Sequence, residues 1–267
     1  MIMEYLKSVF LGIVEGITEW LPVSSTGHLI LFNEFMNNEG SFLSSDLYIY
    51  VIQLGAILAV VTHFFHKLNP FSSRKTSTEK YDTWQMWFKV AIACVPAAVS
   101  GLLLNDYMEH FETWEVVSAA LIIYGIAFIV VEKVVKNQTI TSMNEMSYKT
   151  AIIIGLFQVL SIVPGTSRSG STILGGMLVG CSRELAAEFS FFLAIPVMFG
   201  VSFLKIITYE GTIDRGILAI GMIVSYLVSV LAIKFLMNYV RKHSFTAFGW
   251  YRIILAVVVI VFFTLMH

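Results

Sequence analysis

Leu21-Pro22-Val23-Ser24-Ser25-Thr26-Gly27-His28 interrupts an apolar region that covers about residues 8–35. Pro164-Gly165-Thr166-Ser167-Arg168-Ser169-Gly170 interrupts a second apolar region, over about 150–180. Each flank of these breaks is shorter than the roughly 20 apolar residues a helix needs to cross the hydrocarbon core. Non-helical backbone at that depth is tolerated only against protein or a water-filled cavity. The economical reading is two re-entrant hairpins, each built of two half-helices.

Around the two breaks stand six uninterrupted runs long enough to span a bilayer, at about 49–66, 85–104, 115–132, 185–208, 216–237 and 248–266. The whole chain has the same character: of its 267 residues 57% are hydrophobic and 13% charged, and the mean hydropathy is +0.79. A soluble domain carries roughly 25% charged residues. These figures exclude a disordered chain, a nucleic-acid binder with a basic face and a disulfide-stapled secreted domain. The formal net charge of -1 says nothing about partners. Cys94 and Cys181 lie in or beside apolar segments without metal-ligand spacing and read as packing residues. The first apolar stretch carries Glu15 and Glu19 and lacks a signal-type cleavage site, so it reads as part of the mature protein.

Where the charges sit fixes an orientation. Lys67, Arg74, Lys75 and Lys80 follow the first span, Lys133, Lys136 and Lys149 the third, and Arg241 and Lys242 the fifth. The loops 105–114 and 37–48 hold no Lys or Arg. Cytoplasmic loops carry the Lys/Arg excess, so the basic loops are expected inside, with Arg183 beside them. The first broken segment then enters and leaves on the outer side and the second on the cytoplasmic side, with both chain ends outside. The expected fold is therefore an all-α integral membrane protein forming a single membrane domain, 1–267. It would have six full transmembrane helices plus two re-entrant helical hairpins in an inverted-topology repeat, with halves at about 1–136 and 149–267. Gly12-x-x-Glu15 ahead of Pro22 echoes Gly155-x-x-Gln158 ahead of Pro164, with the prolines offset by one residue. Pro96 and Pro196 do not occupy matching spans and read as helix kinks.

The breaks also concentrate ionisable groups. A charged residue at the centre of a membrane helix costs about 2.5–3.5 kcal/mol on insertion scales, so Glu15, Glu19, His28 and Arg168 need a reason to be there. Glu15 and Glu19 are four apart and share one helix face, where their repulsion calls for a cation, a proton or an arginine. Carboxylate oxygens suit Mg²⁺ or Ca²⁺. The alternative is a pair of interfacial glutamates reaching water. Ser25 and His28 are three apart at the start of the second half-helix, a hydroxyl beside an imidazole as in activated nucleophiles. Ser24 reads as the cap of that half-helix. Gly165, Thr166, Ser167, Ser169, Gly170 and Ser171 surround Arg168 with small and hydroxyl residues, whose N–H groups can face an anion while the guanidinium grips phosphate. The spacing is wrong for a P-loop. Gln53 and Gln158 read as structural hydrogen-bond partners.

These residues resemble a known family. Gly12-Ile-Val-Glu15-Gly16-Ile-Thr-Glu19-Trp20-Leu21-Pro22-Val23-Ser24-Ser25-Thr26-Gly27-His28 looks like the first signature of the BacA-type undecaprenyl-diphosphate phosphatases, and Pro164-Gly-Thr-Ser-Arg168-Ser-Gly170 like the second. The stretch Glu188 to Pro196 and the chain length fit as well. The resemblance implies hydrolysis of the terminal phosphate of undecaprenyl diphosphate, regenerating the lipid carrier for cell-wall synthesis. It implies divalent-cation dependence, a plasma-membrane location and bacitracin tolerance when the enzyme is abundant. Residue by residue it implies Glu15 and Glu19 as the acidic, metal-holding motif, Ser25 and His28 as the hydroxyl–imidazole pair, and Arg168 as the phosphate-binding arginine. Glu19, Ser25, His28 and Arg168 are then the expected catalytic set. Ser24, Thr26, Gly165, Thr166, Ser167, Ser169 and Gly170 are expected to bind the head group with Arg168. In that scheme His28 takes a proton from Ser25, or from a water, and the head group enters from outside. The expected partners are the lipid substrate and the bilayer, with no nucleic acid; a homodimer stays open. A carrier flippase or anion transporter on the same inverted repeat is the competing reading, but it would need neither Ser25 beside His28 nor two adjacent carboxylates.

Overall fold

A computed structural model describes residues 2–38, 40–136 and 138–266. Among them are eleven α-helices and no strand pairing beyond one isolated bridge between Ile140 and Cys181. The helices are α1 (Ile2–Thr18), α2 (Ser25–Phe35), α3 (Asp46–His63), α4 (Phe65–Leu68), α5 (Ser77–Glu109), α6 (Trp114–Val134), α7 (Tyr148–Val159), α8 (Arg168–Leu178), α9 (Arg183–Thr208), α10 (Arg215–Val240) and α11 (Thr246–Met266). The starts follow capping chemistry. Ser45, Thr113, Ser147 and Ser182 accept from backbone N–H groups at the fronts of α3, α6, α7 and α9, satisfying donors a helix start leaves open. Thr76 and Glu79 form a capping box ahead of α5.

Among the described residues six helices, α3, α5, α6, α9, α10 and α11, are long and apolar enough to cross a membrane, and the protein is an all-α integral membrane protein. Their outward faces are apolar, with Leu102, Leu103, Leu231 and Ile254 among the most exposed side chains. Pro96 and Pro196 lie inside α5 and α9. Between helices the contacts are close. A Cβ on Gly125 of α6 would come 2.8 Å from the Gly249 carbonyl oxygen of α11, and one on Gly249 would come 2.7 Å from that of Gly125. Small residues let membrane helices approach in this way. Cys94 and Cys181 are buried and unpaired, as packing residues would be.

The two broken segments are helical hairpins. Near the start of α1, Lys7 donates to the Met36 carbonyl just past α2, at 2.6 Å, and the rings of Phe10 and Phe32 meet edge to face at 4.9 Å. In the second hairpin Ile140, ahead of α7, bonds to Gly180 just past α8. The hairpins open at opposite ends of the molecule. The first opens beside Tyr48, Ile217 and the Lys205–Asp46 pair. The second opens among the Arg183–Glu132, Lys67–Glu188 and Arg241–Glu184 ion pairs. Their tips meet in the interior.

Candidate active site at the hairpin tips

The tips share one backbone design. α1 ends at Thr18, one residue before Glu19, although the Glu19 N–H still bonds to the Glu15 carbonyl at 3.0 Å. Glu19 thus sits in the turn and not in the half-helix as expected. Ser24 and Ser167 cap α2 and α8 with φ of 73° and 72°, and each hydroxyl accepts from the N–H three residues on, Gly27 and Gly170, at 3.2 Å. Positive φ at a residue with a Cβ is uncommon, and such strain clusters at functional sites.

Across the tips runs a connected set of side chains. Arg168 donates from Nη2 to Glu19 Oε1 at 2.8 Å, and Ser25 Oγ donates to Glu19 Oε2 at 2.9 Å. The ion pair is largely shielded, with side-chain exposures of 11% and 7%. The second guanidinium nitrogen, Nη1, donates to the Ser190 carbonyl at 2.8 Å, and the plane lies 5.5 Å over the Trp20 ring. Ser169 Oγ reaches back to the Glu19 carbonyl at 3.1 Å. Two residues of the expected catalytic set, Arg168 and Glu19, are therefore joined across the two hairpins.

Ser25 and His28 are not paired in this way. The imidazole Nδ1 lies 2.7 Å from the Ser24 carbonyl and Nε2 lies 2.7 Å from the Tyr251 hydroxyl. A helix-start carbonyl four residues back competes for the ring and wins, so the hydroxyl turns to the carboxylate. The expected hydroxyl–imidazole pair is replaced by a hydroxyl–carboxylate pair. Other expected phosphate binders are also occupied. The hydroxyls of Ser24 and Ser167 cap helices, and that of Thr166 donates to the carbonyls of Leu160 and Val163 at 3.0 and 2.8 Å. A Cβ on Gly165, at φ 87°, would come 2.7 Å from the Val117 Cα, and one on Gly170 would come 2.7 Å from Arg252 Nη1. Ser25, Thr26, Ser167 and Arg168 are half-buried and offer the open face of the site.

Sequence reasoning expected the last helix as a span but missed its part in the site. Arg252 of α11 is fully buried, donating from Nη1 to the Pro22 carbonyl at 3.1 Å and from Nη2 to the carbonyls of Gly165 and Thr166 at 2.9 and 2.6 Å. It lies 5.3 Å over the ring of Tyr124, whose hydroxyl accepts from Ser171. The signal was present, since Arg252 is the one charge in the run 248–266. Gln158 also departs from expectation: neither amide atom has a partner among the described residues.

The same geometry belongs to a chain with many relatives. The profile of the family described as bacitracin resistance protein BacA matches residues 8–258. A protein of Lactiplantibacillus plantarum named undecaprenyl-diphosphatase is 53% identical, over 99% of this chain and 100% of its own length. Proteins of that name from Enterococcus faecalis and Streptococcus thermophilus are 55% and 56% identical, over 95% and 97% of this chain and 95% and 93% of theirs. The chain belongs to the BacA family. It is a multi-pass membrane protein, and the breaks at residues 21–24 and 164–167 lie at its hairpin tips. The cation expected of the family can be set against the donors present. Both carboxylate oxygens of Glu15 are buried without a hydrogen-bond partner among the described residues, whereas both oxygens of Glu19 are engaged. No cluster of three or more His, Cys, Asp or Glu gathers among the described residues. Such a sparse set suits Mg²⁺, which keeps waters and takes one or two carboxylates plus substrate phosphates, better than an all-protein Ca²⁺ cage.

Proposed function

We propose that the chain is an undecaprenyl-diphosphatase, removing the terminal phosphate of undecaprenyl diphosphate and leaving undecaprenyl phosphate. The observation that carries the chemistry is the chain Arg168–Glu19–Ser25, an arginine, a carboxylate and a hydroxyl in direct contact across two hairpin tips. Phosphoryl transfer needs positioning and charge neutralisation above all. Arg168 shifts part of its contact from Glu19 to the terminal phosphate and neutralises it, aided by Thr26 and the N–H groups at the start of α2 and α8. Glu19 takes the proton from Ser25 Oγ, which attacks the terminal phosphorus as the bridging P–O bond breaks and undecaprenyl phosphate leaves. Water, deprotonated by a carboxylate, then cleaves the phosphoserine and returns the serine hydroxyl and inorganic phosphate. Direct attack by water activated by Glu19 is the variant without a covalent step. Glu15 and Glu19 would hold Mg²⁺, which supplies further positive charge to the phosphate oxygens when bound.

In this reading the hairpins re-enter the bilayer from opposite faces as halves of an inverted repeat. Three features support it: the openings at opposite ends, the matched caps Ser24 and Ser167, and the matched order of one hairpin and three spans in each half. The basic ion-pair end is cytoplasmic and the head group enters from outside.

The test is phosphate release by the purified protein in detergent from undecaprenyl diphosphate with Mg²⁺. Release that Arg168→Ala abolishes is the expected result; no release by the unaltered protein overturns the reading. Trapping of labelled phosphate on the chain, lost in Ser25→Ala, separates the covalent from the direct route. Since both native cysteines are buried, a Thr212→Cys variant in the exposed loop between α9 and α10 reports topology with an impermeant thiol reagent, and labelling in intact cells is expected.

A further inference from the structure

Four carbonyl groups at the tips face inward, towards the last helix and its imidazole link. Arg252 holds those of Pro22, Gly165 and Thr166, and His28 Nδ1 holds that of Ser24. A carbonyl oxygen only accepts, so Nδ1 carries the proton. In the neutral ring Nε2 is then the lone-pair side, 2.7 Å from the Tyr251 hydroxyl, which in that tautomer is the donor. The rings of His28 and Tyr251 lie nearly parallel, 11° apart. Consecutive residues of α11 thus reach both broken segments, Tyr251 through His28 and Arg252 directly.

The consequence follows from peptide geometry. No peptide bond among the described residues is cis, and in a trans peptide the carbonyl of one residue points opposite to the N–H of the next. Holding the Ser24 carbonyl on His28 turns the Ser25 N–H away from it. Holding the Thr166 carbonyl on Arg252 does the same for the Ser167 N–H. These N–H groups flank the Ser25 hydroxyl and Arg168, on the half-buried face of the tips. The N–H groups of Val23 and Thr166, turned in the same way, are already bonded to Leu21 and Val163.

We propose that Tyr251 and Arg252 are positioning residues for the reaction at Ser25, a clamp that fixes the carbonyls of both tips so that the Ser25 and Ser167 N–H groups face the transferring phosphoryl group. His28 is a link in that clamp and not the base for Ser25. The proposal rests on the phosphatase reading above and deepens it. Fixed N–H donors aimed at developing charge act in the transition state and cost no reorganisation when the reaction occurs.

Asparagine decides the role of His28, because its Nδ2–H can replace Nδ1–H towards the Ser24 carbonyl but cannot carry a proton. In the phosphate-release assay His28→Asn is expected within about tenfold of the unaltered protein, and His28→Ala about 100-fold below it, the scale of a misplaced catalytic group. Tyr251→Phe, which loses only the hydroxyl, is expected to lower kcat about tenfold with KM nearly unchanged, as loss of a transition-state interaction does. His28→Asn as inactive as His28→Ala overturns the proposal, as does Tyr251→Phe with unchanged kcat. A nitrogen NMR measurement of the His28 tautomer is independent of turnover. Proton on Nδ1 is expected, and proton on Nε2 alone overturns the clamp even in a protein that releases no phosphate. Absence of release by the unaltered protein, with the Nδ1 tautomer present, counts against the phosphatase reading and not against the clamp.

Discussion

The two hairpins have one frame and opposite chemistry. α2 and α8 start behind serines at φ 73° and 72°, and both hydroxyls cap the N–H of a glycine at 3.2 Å. The Gly12-x-x-Glu15 and Gly155-x-x-Gln158 echoes precede these serines at the same separation, a match the offset prolines conceal. On that frame the first hairpin carries two carboxylates, a hydroxyl and an imidazole. The second carries Gln158 where the first has Glu15, and Arg168 where the first has Ser25. The shared backbone supplies two facing half-helix starts, and a few differing side chains place the carboxylate and the hydroxyl on one tip and the guanidinium on the other. Neither hairpin holds a site alone, since the Glu19–Arg168 pair is made only when the tips meet.

If the division of labour is correct, removing the cation does the most harm. Arg168→Ala is expected to lower kcat/KM for undecaprenyl diphosphate about 10³-fold, in the range of an arginine that neutralises a transferring phosphoryl group. Arg168→Lys recovers only part of it, because a point charge cannot grip both the phosphate and the Ser190 carbonyl. Activity of Arg168→Ala within a few-fold of the unaltered protein would refute the assignment. Exchanging the mates Glu15 and Gln158 comes next. Glu15→Gln is nearly isosteric and is expected to raise the Mg²⁺ concentration for half-maximal rate at least about tenfold. An unchanged Mg²⁺ curve removes Glu15 from cation binding. Gln158→Glu puts a carboxylate where the amide has no partner, and a buried unpaired charge is expected to destabilise the protein by about 3–5 kcal/mol in detergent unfolding.

The span pattern was legible because hydrophobic length is a property of the chain itself. All six runs became helices, α3 at Asp46–His63 and α10 at Arg215–Val240 among them. What hydropathy misses is the helix that projects past the apolar layer: α5 starts at Ser77, well before the run at about 85, and α1 starts at Ile2. At the site, Glu19 and Arg168 were legible as charges in apolar surroundings. The partner of Ser25 was not, because a spacing of three places Ser25 and His28 on one face without saying which acceptor the imidazole prefers. Arg252 lies 230 residues from the Pro22 carbonyl it holds, and no local pattern encodes such a contact. Its lone charge in a span was the available clue.

Smaller effects test the frame itself. A Cβ at Gly155 would run into the Ala93 carbonyl oxygen of α5, and one at Gly12 would come 2.7 Å from that of Gly221 on α10. Neither fits without backbone movement, so both alanine substitutions are expected to destabilise by about 1–3 kcal/mol, Gly155→Ala more than Gly12→Ala. A stabilising effect at either would deny the close approach that carries each hairpin.

The smallest effect is the most specific to the pair. At positive φ an L-residue is strained by about 1–2 kcal/mol and glycine is not, while replacing a capping serine by glycine costs only a few tenths. Ser24→Gly and Ser167→Gly are therefore expected to leave stability within about 1 kcal/mol of the unaltered protein, or to raise it. Ser24→Ala and Ser167→Ala lose the cap and keep the strain, costing about 1 kcal/mol each. If the tips are two copies of one design, each kind of substitution moves both sites by the same amount in detergent unfolding. A difference above about 1 kcal/mol between Ser24→Ala and Ser167→Ala would mean that the backbone match at the caps hides unequal support, and that the hairpins share a shape without sharing its energetics.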